Sequence, residues 1–232
     1  MAGRGPKISS FICLNYARCY SKPNVTSKRS VTVEADKLAR FLKAYTRQAH
    51  HRVDQHPLLK PLMQAGLKVN HYGYALTALY PAVCWLEQSV MNAATAYRWA
   101  YPIVSRSALL AADLAALGWV APTAITTKAS LPASKAHALG ALYVLEGSRL
   151  GGEMIARHVQ KRLGETVPRR FFTAPHPLGP GFWPLFWRFA VAECTPREWQ
   201  AVGDGAWQAF ASFETKLSLA QPLLTPSPAP TE

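Results

Sequence analysis

The sequence has few acidic residues, few cysteines and no long apolar run. Its 232 residues include 13 Asp and Glu against 26 Lys and Arg, so the formal net charge is +13. The four cysteines, at positions 13, 19, 84 and 194, show no Cys-x-x-Cys spacing. The longest apolar segment, Ala75 to Leu86, is interrupted by Pro81 and falls short of the roughly 18 to 20 residues that a membrane span needs. The sequence therefore predicts neither a zinc or disulfide scaffold nor a membrane-spanning protein.

The positive charge is unevenly distributed along the chain. Glu34 is the first acidic residue, and six basic residues precede it: Arg4, Lys7, Arg18, Lys22, Lys28 and Arg29. Residues 1–31 are predicted to be a basic, disordered tail, with an organelle-targeting peptide as the alternative. Residues 221–232 contain four prolines and are predicted to be a second disordered tail. Between them, residues 32–220 form one predicted domain, which we expect in the cytoplasm because Cys84 and Cys194 lie in apolar surroundings typical of reduced thiols.

The hydrophobic pattern of this domain predicts an all-α fold. Apolar residues recur at helical spacing in five segments, and strand alternation is nowhere sustained. The helices are expected at about 33–55, 72–97, 105–117, 134–163 and 196–219. A short aromatic helix with Trp183 and Trp187 precedes the last of them. Thr195, Pro196 and Glu198 form a capping-box signal at the start of the last helix.

The first helix carries a polar strip along the border of its apolar face. A helical wheel places four residues on this strip: Lys43, Arg47, His50 and Asp54. His51 points away from it, toward water. An imidazole beside an apolar wall, with two cations one and two turns earlier, suits a ligand with an apolar body and anionic ends. The alternative is a solvated helix face whose border histidine has no ligand.

The helix at 134–163 contains four glycines in its interior. Each interior glycine costs about 1 kcal/mol relative to alanine, so some packing or binding role must offset them. Gly140, Gly147 and Gly151 lie within about 40° of one another on the wheel. This stripe without side chains admits either another backbone or a flat ligand, and the Gly151-Gly152 pair predicts a kink.

Together these two helices resemble those of haem oxygenases. Thr46 to Asp54 resembles their proximal-helix motif, Thr-x-x-x-His-x-x-x-acid. Tyr143 to Glu153 resembles their glycine-rich distal helix, in the bacterial, biliverdin-producing version that is often paired with phytochromes. The resemblance covers about residues 33–219. It implies a single-domain multihelical bundle with haem between the proximal helix and a kinked distal helix.

The resemblance also implies roles for individual residues. His50 would be the axial ligand of the haem iron, Asp54 would orient its imidazole, and Lys43 and Arg47 would contact the haem propionates. The other implied haem contacts are Gly147, Gly151, Gly152 and Phe210. The catalytic set would comprise His50, Gly147, Ser148 and Gly151.

Haem would be both substrate and cofactor, and the ring would be opened with O2 to biliverdin, CO and ferrous iron. An electron donor is then required, such as a ferredoxin with its reductase or an NAD(P)H-dependent reductase. A bacteriophytochrome that uses the biliverdin is a further expected partner.

Three departures from the family pattern leave alternatives open. Ser148 stands where animal-type enzymes have Asp, and Glu153 replaces a common Gln. Arg149 is expected as a bulky charge on the helix surface. Lys216 is the only candidate for a late-helix propionate cation. A non-catalytic haem-binding protein of the same fold is therefore the main alternative. No recognised nucleic-acid motif accompanies the basic charge, so no nucleic-acid partner is expected.

Overall fold

The computed structural model describes residues 25–122 and 132–224, with side chains for residues 31–122 and 132–221. Within these ranges the chain folds into helices without a β-strand, which confirms the predicted all-α class. The α-helices are α1 (Val25–Asp54), α2 (Val69–Ala96), α3 (Ser107–Ala116), α4 (Lys135–Leu163), α5 (Arg170–Thr173), α6 (Phe182–Glu193) and α7 (Trp199–Leu224). Two 3-10 helices, Lys60–Met63 and Pro196–Glu198, precede α2 and α7.

The ends of the first and last helices extend into the predicted tails. Helix α1 begins at Val25, inside the segment 1–31, and α7 continues to Leu224, inside the segment 221–232. Apolar periodicity marks only the part of a helix that packs on a core, so it cannot detect turns that extend beyond the core. The remaining residues of both predicted tails lie outside the described residues.

The capping box predicted at the last helix is present. The Glu198 carboxylate accepts from the Thr195 backbone N–H at 2.8 Å, and the Thr195 side chain accepts from the Glu198 backbone N–H. The first turn from Pro196 is a 3-10 turn, and the α-helix proper begins at Trp199. The predicted helix start is therefore confirmed.

Helix α7 is the centre of the fold, and glycines allow it to cross α4 closely. A Cβ on Gly140 of α4 would lie only 2.1 Å from the Val202 carbonyl oxygen, and one on Gly205 of α7 would lie 2.1 Å from the His137 carbonyl oxygen. Any side chain at either position would push the helix backbones apart. Gly140, one member of the predicted stripe, therefore serves helix packing.

Helix α1 packs on a neighbouring part of α7. The ring of Tyr45 lies against Gly203, where an added Cβ would approach it to 2.8 Å. The Tyr45 hydroxyl donates to the Asp204 carboxylate. Consecutive residues of the Gly203-Asp204-Gly205 segment thus fix α1 on one side of α7 and α4 on the other.

Two observations bear on the cysteines and on the apolar segments. Cys84 and Cys194 are free thiols, half-buried and buried respectively. No helix among the described residues is long and apolar enough to cross a membrane.

Candidate functional site

The candidate site lies along the facing parts of α1 and α4. Both helices pack against α7, whereas close backbone contacts between α1 and α4 are few among the described residues. Tyr143 of α4 interacts with Thr46 of α1, and burial raises the pKa of Tyr143. Further along α4 the His158 Nε2 donates to the Gln64 carbonyl oxygen, beyond the end of α1, at 3.0 Å. We infer a cleft along α1 and α4 between these two contacts.

His50 faces this cleft with one ring nitrogen engaged. Its Nδ1 lies 2.8 Å from Asp54 Oδ2, one helical turn away, and its side chain is 59% exposed. The Phe210 ring of α7 meets the imidazole edge-on, with centroids 5.3 Å apart. The hydrogen bond to Asp54 raises the pKa of His50, and burial acts in the opposite direction. Because Asp54 holds the Nδ1 proton, a neutral His50 presents the Nε2 lone pair as a metal ligand.

Lys43 and Arg47 lie on α1 on the side of His50 that leads to Thr46. Both side chains are exposed, and neither forms an ion pair with another described residue. Two cations without a protein counter-ion at one end of a cleft favour a ligand that carries two negative charges there.

The face of α4 toward the cleft is open at two of the four glycines. A Cβ on Gly151 would meet nothing within 4 Å, and one on Gly147 would meet only Trp183, at 3.8 Å. Gly152 is different, because it is buried and a Cβ there would lie 3.3 Å from the Phe172 ring. Gly152 lies about 100° further round the helix and admits Phe172 of α5, so its contact with the ligand stays a prediction.

Ser148 is exposed beside the two open glycines. Its hydroxyl donates to the Leu145 carbonyl oxygen at 2.6 Å and accepts from the Arg106 guanidinium at 2.7 Å. Arg106, at the start of α3, is only 2% exposed. Sequence analysis had singled out Ser148 but missed Arg106, because a lone arginine at a helix start gives no sign that it is buried.

Arg149 is not the surface charge that the sequence predicted. It is 5% exposed, and its Nε lies 3.3 Å from the Glu146 carboxylate, which is itself fully buried. The Glu146 carboxylate also lies 3.2 Å from His176 Nε2. Since the Leu178 N–H donates to His176 Nδ1, the neutral His176 carries its proton on Nε2, toward Glu146. The i,i+3 spacing allows an ion pair between Glu146 and Arg149, but local spacing does not predict that the pair is buried beside His176.

Lys216, the expected late-helix propionate cation, lies instead on the side of α7 that faces α2. Its ammonium group sits 5.4 Å from the centre of the Trp85 ring of α2. Glu153 is exposed and within 4.0 Å of Arg157. At the Gln64 end of the cleft, a concavity of about 360 Å³ is lined by Met63, Met154, Arg157, His158 and Lys161.

The residues present fit haem. A flat ligand can approach α4 where Gly147 and Gly151 leave open space, an imidazole on α1 offers Nε2, and unpaired cations suit two carboxylates. Among the described residues no group of three His, Cys, Asp or Glu side chains could hold a metal ion. A haem iron needs only the single imidazole, because the macrocycle supplies four nitrogens. The fold and the cleft thus define a helical haem-binding protein.

The comparisons with known proteins agree with this class. The sequence model described as heme oxygenase matches residues 36–218, and the chain therefore belongs to the heme oxygenase family. It is a haem-degrading oxidoreductase, with haem as substrate and cofactor and O2 as co-substrate. None of the curated protein sequences matches the chain directly.

Solved structures show the same fold. The NO- and CO-bound heme oxygenase from Neisseria meningitidis shares 24% identity at a TM-score of 0.61, over 84% of this chain and 98% of that one. Heme oxygenase-1 from the cyanobacterium Synechocystis, in complex with heme, shares 14% identity at a TM-score of 0.56, over 81% of this chain and 93% of that one. The predicted multihelical haem oxygenase fold is confirmed. The kink predicted at Gly151-Gly152 stays a prediction, since α4 is one continuous helix.

Proposed function

We propose that haem binds in the cleft between α1 and α4, where His50 Nε2 would ligate the iron. The observation that carries this proposal is the His50–Asp54 hydrogen bond at 2.8 Å on α1, together with the face of α4 left open at Gly147 and Gly151. Lys43 and Arg47 bind the two propionates at the Thr46 end. Phe210 supports the imidazole from α7 by its edge contact with the ring.

The chain's own residues position the macrocycle and control its surroundings. Bound haem supplies the iron at which O2 is activated and the ring that is opened to biliverdin, CO and ferrous iron. Asp54 holds the Nδ1 proton of His50, which fixes the tautomer and keeps Nε2 basic. Gly147 and Gly151 would leave space beside the bound ring, and a larger side chain at either position would fill it.

Partners follow from the chemistry of the reaction. Ring opening consumes electrons that the chain cannot supply, so we propose a ferredoxin with its reductase, or an NAD(P)H-dependent reductase, as the donor. The proposed acceptor of the biliverdin is a bacteriophytochrome. The proposed compartment is the cytoplasm, where both partner classes and reduced cysteines are found.

The first test uses His50→Ala with His51→Ala as its matched control. Purified protein is mixed with hemin, and ascorbate or a ferredoxin–reductase pair is added in air. Wild type and His51→Ala should show a Soret band that decays as biliverdin absorption appears. His50→Ala should lose the normal ferric spectrum and turnover, because it removes the proposed ligand of the iron. His51→Ala should keep both, because His51 lies on the solvent side of α1.

Two other outcomes would contradict the proposal. Equal effects of both substitutions, or none from His50→Ala, would remove His50 from the iron. A stable haem complex of the wild type that never yields biliverdin with either donor would instead indicate a non-catalytic haem-binding protein.

A further inference from the structure

Arg106 is a buried cation without a direct counter-ion. Its residue is 2% exposed, and no described carboxylate oxygen lies within 4.0 Å of its guanidinium. Its Nε also has no hydrogen-bond partner. Buried charges in proteins are normally paired, because removing an ion from water without compensation is costly. The exception here needs a reason.

The surrounding residues hold Arg106 firmly in this place. Glu87 accepts hydrogen bonds from the Arg106 and Ser107 backbone N–H groups, at 2.7 and 3.2 Å, and from the Ser105 hydroxyl. Glu87 therefore fixes the start of α3 and has its oxygens committed to that backbone. The guanidinium lies 4.8 Å from the centre of the Phe171 ring. Arg106 is thus anchored by its main chain and by an aromatic surface.

The other charged neighbours are committed to one another. Glu146 is shared by Arg149 and His176, at 3.3 and 3.2 Å. Burial lowers the pKa of Arg106 to about 10, with the nearby Arg149 adding to the effect and Glu87 and Glu146 opposing it. The guanidinium therefore remains protonated at neutral pH, and the carboxylates near it are already engaged by other groups.

The hydrogen bonds of the Arg106 guanidinium show which surface its charge lies behind. One terminal nitrogen donates to Ser148 Oγ at 2.7 Å and lies 3.5 Å from the Leu145 carbonyl oxygen. The Ser148 hydroxyl gives its own proton to that same carbonyl, at 2.6 Å. Ser148 is exposed and lies next to the open face at Gly147 and Gly151. A single hydroxyl therefore separates the buried positive charge from the surface on which the ligand would bind.

We propose that Arg106 is a positioning residue that acts through Ser148 to make the open face of α4 favourable for a small anion. This inference rests on the proposed function, in which O2 gains negative charge on that face as electrons are delivered. Because Arg106 donates to Ser148 Oγ, the hydroxyl keeps an acceptor role toward Arg106 while its own proton can turn from the Leu145 carbonyl to an anion on the open face. The buried cation behind the hydroxyl strengthens that hydrogen bond.

The test compares an anionic and a neutral ligand of the ferric haem complex. Wild type, Arg106→Lys, Arg106→Met and Arg149→Met are loaded with haem and titrated with azide and with imidazole, and the visible spectrum is recorded. Arg106→Met should weaken azide binding about tenfold and leave imidazole binding within about twofold. Arg106→Lys keeps the charge and should retain most of the azide affinity. Arg149→Met removes an equally buried cation that does not contact Ser148, so its azide affinity should stay near wild type.

A second pair of variants covers the case in which Arg106→Met fails to fold. Ser148→Ala keeps the buried guanidinium and should also weaken azide binding, whereas Ser148→Thr should preserve it. Wild-type azide affinity in both Arg106→Met and Ser148→Ala, or an equal loss in Arg149→Met, would overturn the inference. A folded wild type that binds no haem would instead overturn the proposed function.

Discussion

His50 and Asp54 form the pair on which the proposed site depends. Their hydrogen bond joins two half-exposed side chains one turn apart on α1. His51 has the same side chain but points toward solvent on the outer side of the helix. His50 thus differs from His51 in two contacts, one with the Asp54 carboxylate and one with the Phe210 ring, and these contacts suit it to bind a metal.

At this scale we expect Asp54→Asn to lower the pKa of His50. The Asp54 hydrogen bond is the largest cause of the raised pKa, and an amide removes its charge. Iron binding needs an unprotonated Nε2, so haem affinity is present above the pKa of His50 and is lost as the pH falls through it. In Asp54→Asn this loss should move to lower pH, while affinity at pH 8 falls about tenfold because the imidazole becomes a poorer donor.

The measurement is histidine NMR of the haem-free protein, followed by haem titration at several pH values. A His51→Gln background leaves the His50 resonance easier to assign and should not change its pKa. An unchanged His50 pKa in Asp54→Asn would show that the carboxylate does not control the ring.

Helix α4 divides its glycines between packing and an open face. Gly140 brings α4 against the backbone of α7, and Gly152 admits Phe172. Gly147 and Gly151 have space beside them instead. The four glycines of α4 therefore have three kinds of surroundings: the α7 backbone, the Phe172 ring and open space.

Gly151→Leu and Gly140→Ala should have opposite effects on fold and ligand binding. Leucine at position 151 improves helix propensity by up to about 1 kcal/mol and meets no protein atom, so the helical circular dichroism and melting temperature should persist while haem binding fails. Alanine at position 140 would meet the Val202 carbonyl oxygen at 2.1 Å and should lower the free energy of unfolding by about 1 to 3 kcal/mol.

Urea unfolding and hemin titration of both variants check this expectation. Normal haem binding by Gly151→Leu would mean that the ligand does not lie on this part of α4. An unchanged stability of Gly140→Ala would mean that α4 and α7 have room to separate.

The elements that carry apolar periodicity were predictable, whereas the burial of polar groups was not. Two features could be predicted because they depend on residues close together in the sequence. They are the capping box at Thr195 and Glu198 and the polar strip on α1. Arg149 was wrongly placed on the surface because the segment around His176, which helps to bury it, comes from far along the chain. The Phe172 ring beside Gly152 is equally distant in sequence and could not be foreseen either. Arg106 was missed for the same reason, since its partner Ser148 is 42 residues away.

At the scale of the whole molecule, α7 packs against both α1 and α4 and keeps these two helices apart. The Gly203-Asp204-Gly205 segment lets α7 approach each helix closely, and the space left between α1 and α4 becomes the cleft. The net charge of +13 belongs to the whole chain, whereas Lys43 and Arg47 lie within two turns of His50 on α1 and form no ion pair with another described residue. The effect of the net charge on haem binding can therefore be tested separately from the effect of Lys43 and Arg47.

Reversing Lys43 and Arg47 to Glu should weaken haem binding far more than reversing two other exposed arginines. Arg188→Glu with Arg197→Glu changes the net charge by the same amount, at positions on α6 and before α7 that are distant from His50 in sequence and exposed. If the propionates meet Lys43 and Arg47, the first double variant should lose about tenfold or more in haem affinity at low salt, and the deficit should shrink as ionic strength rises. The control should stay within about threefold of wild type at every salt concentration. Equal losses in both double variants would mean that the basic surface as a whole attracts the carboxylates, and that the two cations on α1 have no specific role.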